Sequence, residues 1–101
     1  MKIAIASTAK TLDGDISSQG GRAPFYLFFN EKLELIHTFK NPFSTGGGGA
    51  GNGVAKILED KGISKVVVEK VGGNMKEALE EAHIELVERE GSIADFLKEI
   101  K

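Results

Sequence analysis

The sequence of 101 residues contains no cysteine. This absence excludes disulfide bonds, thiolate metal ligands and a cysteine nucleophile. A metal ion would have to use histidine, carboxylate or methionine ligands. The two histidines, His37 and His83, have no partner at metal-ligand spacing. A packed or half-exposed structural histidine is the favoured interpretation of each, although either could ligate a metal.

Long apolar runs and a strong charge of one sign are also missing. The longest apolar runs, such as 23–29 and 66–68, fall far short of the roughly 20 residues that span a bilayer. The opening residues 1–6 lack the longer apolar stretch of a signal peptide and predict a first strand. The net charge of −2 provides no basic field for a nucleic acid. We therefore expect a cytoplasmic protein that binds neither membranes nor nucleic acid.

Several catalytic sequence patterns are absent as well. No Gly-Lys-Ser/Thr follows the glycines, so a Walker A loop is excluded, and no serine lies in a Gly-x-Ser-x-Gly elbow. Glu69 is the only carboxylate that ends a predicted central strand, which disfavours a two-metal site. A Ser-His-Asp arrangement needs no fixed spacing and stays an alternative. The residues favour a binding protein over an enzyme.

Apolar residues make up 41% and charged residues 28% of the sequence, which is typical of a folded protein, and the length suits one domain over residues 1–101. β-Branched and aromatic runs predict strands over 2–6, 25–29, 33–39, 65–69 and 84–87. Helical spacing predicts helices over about 53–61, from 72–74 to Ala82, and over 93–100. This order predicts an α/β fold with a mixed five-stranded sheet and three helices.

Two local patterns refine this prediction. Residues 30–32 reverse the chain into a β-hairpin, which should cover one edge of the sheet. Period-two alternation places Leu33, Leu35, His37 and Phe39 on one face of its second strand. The polar stretch from Ser7 to Ser18 predicts an exposed loop.

Glycine is concentrated in one segment, where six of the eight residues from Gly46 to Gly53 are glycine. Glycines that run into a helix N-terminus can curl their N–H groups around an anion, and Ser44, Thr45 and Asn52 could add side-chain donors. The alternative is a flexible connector with no ligand.

The same segment contains one Gly-x-Gly-x-x-Gly pattern, formed by Gly46, Gly48 and Gly51, and Glu69 ends the next strand. These residues suggest a nucleotide-binding alternative. However, the strand over 33–39 does not run directly into Gly46, and the chain has too few strands for the usual two-halved dinucleotide fold.

A second candidate loop carries Arg22, whose fork of five donors lies on a glycine turn before a strand. Pairing with Asp13 or Asp15 and binding of a ligand are both open. Ligands of such sheets gather at the carboxyl ends of parallel strands, so three loops, 17–23, 44–53 and 71–74, are predicted to converge there.

These loops carry a family resemblance. Residues 16–27 read Ile-Ser-Ser-Gln-Gly-Gly-Arg-Ala-Pro-Phe-Tyr-Leu, and they are followed by the glycine segment and by Gly72-Gly73-Asn74. Over nearly its whole length the chain resembles the dinitrogenase iron–molybdenum cofactor biosynthesis family. The resemblance implies a three-layer, ribonuclease H-like fold and the binding or carrying of metal–sulfur clusters without catalysis.

The chain departs from the family pattern in three segments. The family usually has His-Phe-Gly-Arg where residues 19–22 stand, and that histidine, here Gln19, is a candidate cluster ligand in some members. Met75 departs from the Gly-x-Asn-Ala pattern, and His83 stands where a glycine often precedes the last strand. The resemblance therefore implies a cluster held through backbone N–H groups, Arg22 or His83.

We predict a small carrier of an anionic iron–molybdenum or iron–sulfur cluster, not covalently bound, with a cofactor-assembly or acceptor protein as partner. The predicted cofactor-binding residues are Ser18, Gln19, Gly21, Arg22, Ser44, Thr45, Gly46, Gly48, Gly51, Asn52, Gly72, Gly73 and Asn74, with His83 as a candidate metal ligand. A regulatory interaction domain that has lost its ligand is a further alternative.

Overall fold

The computed structural model describes residues 2–44 and 50–100, and in these two ranges it contains five strands and three helices. The elements are β1 (Lys2–Ser7), β2 (Phe25–Phe29), β3 (Leu35–Lys40), α1 (Ala50–Asp60), β4 (Ile63–Val68), α2 (Gly73–Glu81), β5 (Glu85–Glu88) and α3 (Ile93–Ile100). Their order along the chain is the one predicted from the periodicity.

The strands form one mixed sheet in the order β3-β2-β1-β4-β5. On one side of β1, β2 pairs with it antiparallel and β3 pairs antiparallel with β2. On the other side of β1, β4 pairs with it parallel and β5 pairs parallel with β4. Val66, Val67 and Val68 in β4 are all buried, as expected for a parallel strand covered on both faces. The predicted hairpin at the sheet edge is confirmed.

Two separate hydrophobic clusters cover the two faces of the sheet. Ala4 and Ala6 of β1 face the cluster that contains α1 and α2, whereas Ile3 and Ile5 face the cluster that contains α3. The period-two alternation of the central strand thus supplies apolar side chains to both layers of helices. The result is the expected three-layer, ribonuclease H-like fold. No helix in the described ranges has the length and apolarity to cross a membrane.

The prediction of an exposed loop from Ser7 to Ser18 is wrong at both of its ends. Ser7 belongs to β1, and Ile16 is buried in the cluster beneath α3. The Ser17 N–H donates to the Ala6 carbonyl at 2.8 Å, and the Ser17 carbonyl accepts from the Glu69 N–H at 3.0 Å. The segment therefore inserts between the carboxyl ends of β1 and β4, because Ile16 supplies apolar area that the polar pattern concealed.

The predicted strand over 33–39 is also corrected. β3 begins at Leu35, and Leu33 has a φ of 63° in the turn before it. The pairing register shifts where Phe29 opposes Leu35 but Phe28 opposes His37, which leaves an extra residue on β3. Such a bulge interrupts the alternation of faces. Consequently Leu33 packs with the α3 cluster and Phe39 packs with the opposite one.

The helix predicted from about Gly53 starts earlier, since α1 includes Ala50, Gly51 and Asn52. Part of the glycine segment is therefore helical, and close packing accounts for two of its glycines. A Cβ on Gly51 would lie 2.7 Å from the Met75 Cβ, and one on Gly53 would lie 2.4 Å from the ring of Phe43. Glycine is required at Gly51, where the added atom would also meet the backbone of Met75, whereas at Gly53 the conflict is with the ring of Phe43.

We expect the substitution Gly51→Ala to lower the free energy of unfolding by about 1–3 kcal/mol, because the added methyl overpacks the contact between α1 and α2. Gly73→Ala is the matched control, since a Cβ at Gly73 meets nothing within 4 Å. Its stability should stay within about 0.5 kcal/mol of the wild type. Urea denaturation of the three proteins measures both effects, and a Gly51→Ala variant as stable as the wild type would contradict the packing account.

Candidate functional site

An open groove of about 690 Å³ lies beyond the carboxyl end of β4. Its walls are residues 18–22, residues 50–51 at the first described turn of α1, and residues 69–75 at the start of α2. Portions of the three loops that the sequence placed at this end of the sheet therefore meet.

Most of the sequence-predicted binding residues in the described ranges line this groove. They are Ser18, Gln19, Gly21, Arg22, Gly51, Gly72, Gly73 and Asn74, and Glu69 of the nucleotide alternative lines it too.

Other candidates lie elsewhere. Asn52 lines a neighbouring cavity of about 570 Å³ between α1 and α2, to which Asn74 also contributes. Ser44 belongs to the turn after β3, where its N–H donates to the Asn41 carbonyl at 3.2 Å. Thr45, Gly46 and Gly48 lie outside the described residues.

His83 is not brought to the groove. It is exposed and follows the C-cap residue Ala82 of α2, whereas the groove lies at the other end of that helix. Nine helical residues span about 13 Å. Within residues 2–44 and 50–100, no group of three or more histidine or acidic side chains is placed to hold a metal ion.

The first wall of the groove is anchored on both sides of Gly20. The Gly20 N–H donates to the Lys70 carbonyl at 3.0 Å, and the Tyr26 hydroxyl donates to the Gly20 carbonyl. Tyr26 is fully buried, and burial raises the pKa of its hydroxyl well above the ordinary range. The hydroxyl therefore remains a donor throughout the physiological pH range.

Asn41 holds the next part of the same wall. The residue is only 1% exposed. Its side-chain amide nitrogen donates to the carbonyls of Gly21 at 3.0 Å and Ala23 at 2.9 Å. Its Oδ1 accepts from the Phe43 N–H at 3.0 Å. Sequence reasoning treated residues 41–42 only as the end of a strand and missed this role. The carbonyls of the 21–23 turn need hydrogen-bond donors, and this need could have indicated a nearby amide side chain such as that of Asn41.

Arg22 joins this wall to the segment after β3, because its Nη1 donates to the Phe43 carbonyl at 2.9 Å. The arginine thus has a structural partner that the sequence did not predict. Arg22 also lines the groove, so it makes this structural contact and remains part of the candidate site.

The electrostatics of the groove favour an anion. Gly72 is the N-cap of α2 and has an extended backbone, and as a glycine it has no side chain that could cap the helix. The first intrahelical bond runs from the Lys76 N–H to the Gly72 carbonyl at 3.0 Å. The N–H groups of the first helical turn before Lys76 have no intrahelical partner and carry the positive end of the helix dipole. Arg22 and Lys70 add two cations, against the one carboxylate of Glu69 among the described lining residues. A negatively charged ligand matches this arrangement.

We expect Asn41→Ala to lower the free energy of unfolding by about 3 kcal/mol, because two carbonyls lose a buried donor. Asn30→Ala is the control, since Asn30 also bonds two backbone groups, but at an exposed turn and as an acceptor, its Oδ1 accepting from the N–H groups of Lys32 at 2.9 Å and Glu34 at 3.0 Å. Water can replace those bonds, and the expected loss is about 1 kcal/mol. Equal losses in chemical denaturation would contradict the central role of Asn41.

The raised pKa of Tyr26 predicts a pH dependence at high pH. The unfolded chain releases the tyrosine proton at about pH 10, whereas the folded chain retains it. Above that pH the folded state therefore binds more protons than the unfolded state. The stabilisation is present below about pH 10 and decreases as pH rises, by up to about 1.4 kcal/mol per pH unit. Denaturation of wild type and Tyr26→Phe between about pH 9 and 11 isolates this contribution. Parallel curves for the two proteins would contradict it.

Comparison with known proteins identifies the family of this chain and proteins that share its fold. A family model described as dinitrogenase iron-molybdenum cofactor matches residues 1–101. The apo orange protein from Desulfovibrio gigas is similar, with a TM-score of 0.88 and 23% identity over 98% of this chain and 85% of that one. The NMR structure of a putative NifB protein from Thermotoga gives a TM-score of 0.80 and 23% identity over the same shares, 98% and 85%. Among curated proteins none matches. The structural similarities concern the fold, and the family match shows that this chain belongs to the dinitrogenase iron-molybdenum cofactor family.

Proposed function

We propose that this protein binds and carries an anionic metal–sulfur cofactor, of the iron–molybdenum or iron–sulfur cluster type, without catalysing a reaction. It would act in the cytoplasm during cofactor assembly or delivery. The observation that carries the proposal is the groove where the 18–22 turn, the first described turn of α1 and the N-terminus of α2 meet. Membership of the family supports the choice of cargo.

The donor set of the groove fits a cluster held by hydrogen bonds and charge. The sequence has no cysteine, and no histidine is among the described lining residues. Backbone N–H groups, Arg22 and Lys70 can instead donate to the negatively charged outer atoms of such a cargo. A volume of about 690 Å³ lies within the usual range of small-molecule sites. Binding without a metal–thiolate bond also suits a carrier that must release its cargo to an acceptor protein.

The nucleotide alternative receives less support from the fold. The dinucleotide fingerprint lies between a parallel strand and its helix. Here the strand before the glycine segment is β3, the edge strand, which runs antiparallel to β2. Glu69 directly follows β4, the strand after α1, and lines the groove, so its position agrees with the fingerprint. The disagreement lies in the strand before the glycines.

Anaerobic incubation with isolated iron–molybdenum cofactor or a simple iron–sulfur cluster, followed by gel filtration, tests the proposal. We expect co-elution with the wild-type protein, and an affinity about tenfold lower for Lys70→Gln, which removes one cation from the groove. Lys98→Gln in α3, on the opposite layer, is the matched control and should bind as the wild type does.

Absence of co-elution with either cluster would refute the carrier function and favour an interaction domain without a ligand. Equal losses for the two lysine variants would instead refute the groove as the site. Addition of NAD, FAD or ATP should leave the melting temperature unchanged, because only a ligand of the native state raises stability. An increase would revive the nucleotide alternative.

A further inference from the structure

The turn that forms the first wall of the groove has its carbonyl groups bonded from the protein side. Tyr26 donates to the Gly20 carbonyl, and Asn41 donates to the carbonyls of Gly21 and Ala23. Both donors are buried side chains. The carbonyl oxygens, which carry the negative ends of the peptide dipoles, are thereby directed toward the interior.

The direction of these carbonyls fixes the direction of the N–H groups in the same peptides. The described backbone contains no cis peptide bond. In a planar trans peptide the C=O of one residue and the N–H of the next point in opposite directions. The bond from Tyr26 to Gly20 therefore directs the Gly21 N–H away from Tyr26, and Gly21 lines the groove.

We propose that Tyr26 is a positioning residue for the ligand, because its bond to the Gly20 carbonyl presents the Gly21 N–H to an anion in the groove. Asn41 has the corresponding effect on the next peptide. This inference rests on the proposed function in that it takes the groove as the ligand site. It adds that the affinity for an anion there depends on two buried side chains that do not touch the ligand.

The surroundings of Gly20 explain why loss of the Tyr26 hydroxyl should reorient the peptide between Gly20 and Gly21 but leave the rest of the 18–22 turn in place. The Gly20 N–H remains bonded to the Lys70 carbonyl at 3.0 Å. A Cβ at Gly20 would lie 2.8 Å from Met75 Sδ and 2.9 Å from Val71 Cγ1, so the position of the backbone is also fixed by packing. Only the carbonyl loses its partner in Tyr26→Phe, and it becomes able to turn toward the groove.

The test uses inorganic molybdate as the probe, with sulfate as a second oxyanion, in an amide NMR titration of the full chain. In the wild type we expect saturable shifts of the Gly21 amide resonance. Tyr26→Phe should bind each oxyanion roughly three- to tenfold more weakly, as expected for one misdirected hydrogen bond. Ser64→Ala is the control, because it removes another side-chain bond to a carbonyl, from Ser64 to Lys2 at 3.1 Å, in residues that do not line the groove.

Loss of a structural bond can lower the unfolding free energy of Tyr26→Phe and of Ser64→Ala. A positioning role of Tyr26 also raises the dissociation constant for the oxyanion, and it does so in Tyr26→Phe but not in Ser64→Ala. Unchanged oxyanion affinity in folded Tyr26→Phe would overturn the proposal. If that variant does not fold, the wild-type titration decides, since an unshifted Gly21 resonance also overturns it. A wild-type protein that binds molybdate at Gly21 but no metal–sulfur cluster would refute only the proposed cargo.

Discussion

The requirement of carbonyls in the 20–24 turn for hydrogen-bond donors shapes the first wall of the groove. Asn41 meets most of this requirement from the end of β3, where its N–H donates to the Pro24 carbonyl and its side chain reaches Gly21 and Ala23. No buried side-chain nitrogen or oxygen in the described ranges lacks a partner. A fully bonded polar network of this kind has one preferred geometry, because any rearrangement leaves a buried group unpaired. The wall is therefore organised before a ligand arrives.

Two helices meet this wall because glycine lets their backbones approach. A Cβ at Gly21 would lie 3.1 Å from the Gly51 nitrogen, and a Cβ at Gly51 would contact Met75 in α2. The glycines near the groove thus fall into two kinds, those required by packing and those such as Gly72 and Gly73, around which the space is open. The alternative of a flexible connector does not describe Gly51, which is helical although the predicted helix began only at about Gly53.

The sequence predicted the elements whose signals are local. Valines 66–68 and the aromatic run of β2 indicated strands, the apolar stripe of α3 indicated a helix, and their order implied the sheet. The errors arose where distant residues decide the structure. Ile16 becomes buried only after α3 packs beside it, and the bulge in β3 depends on its pairing with β2. For the site, residues on loops were accessible to sequence reasoning, but Tyr26 and Asn41 were missed because their partners are backbone carbonyls about six and twenty residues away.

The bulge in β3 has a consequence for the open edge of the sheet. β3 is the last strand on its side of the sheet, and it exposes 39% of Leu35 and 48% of Ile36. A regular edge strand with apolar side chains is a template on which other chains can add strands and aggregate. The extra residue between Leu35 and His37 breaks the even spacing of outward N–H and C=O groups, and Lys40 ends the strand with a charge. The irregularity that misled the sequence pattern thus makes β3 a poorer template for an added strand than a regular edge strand.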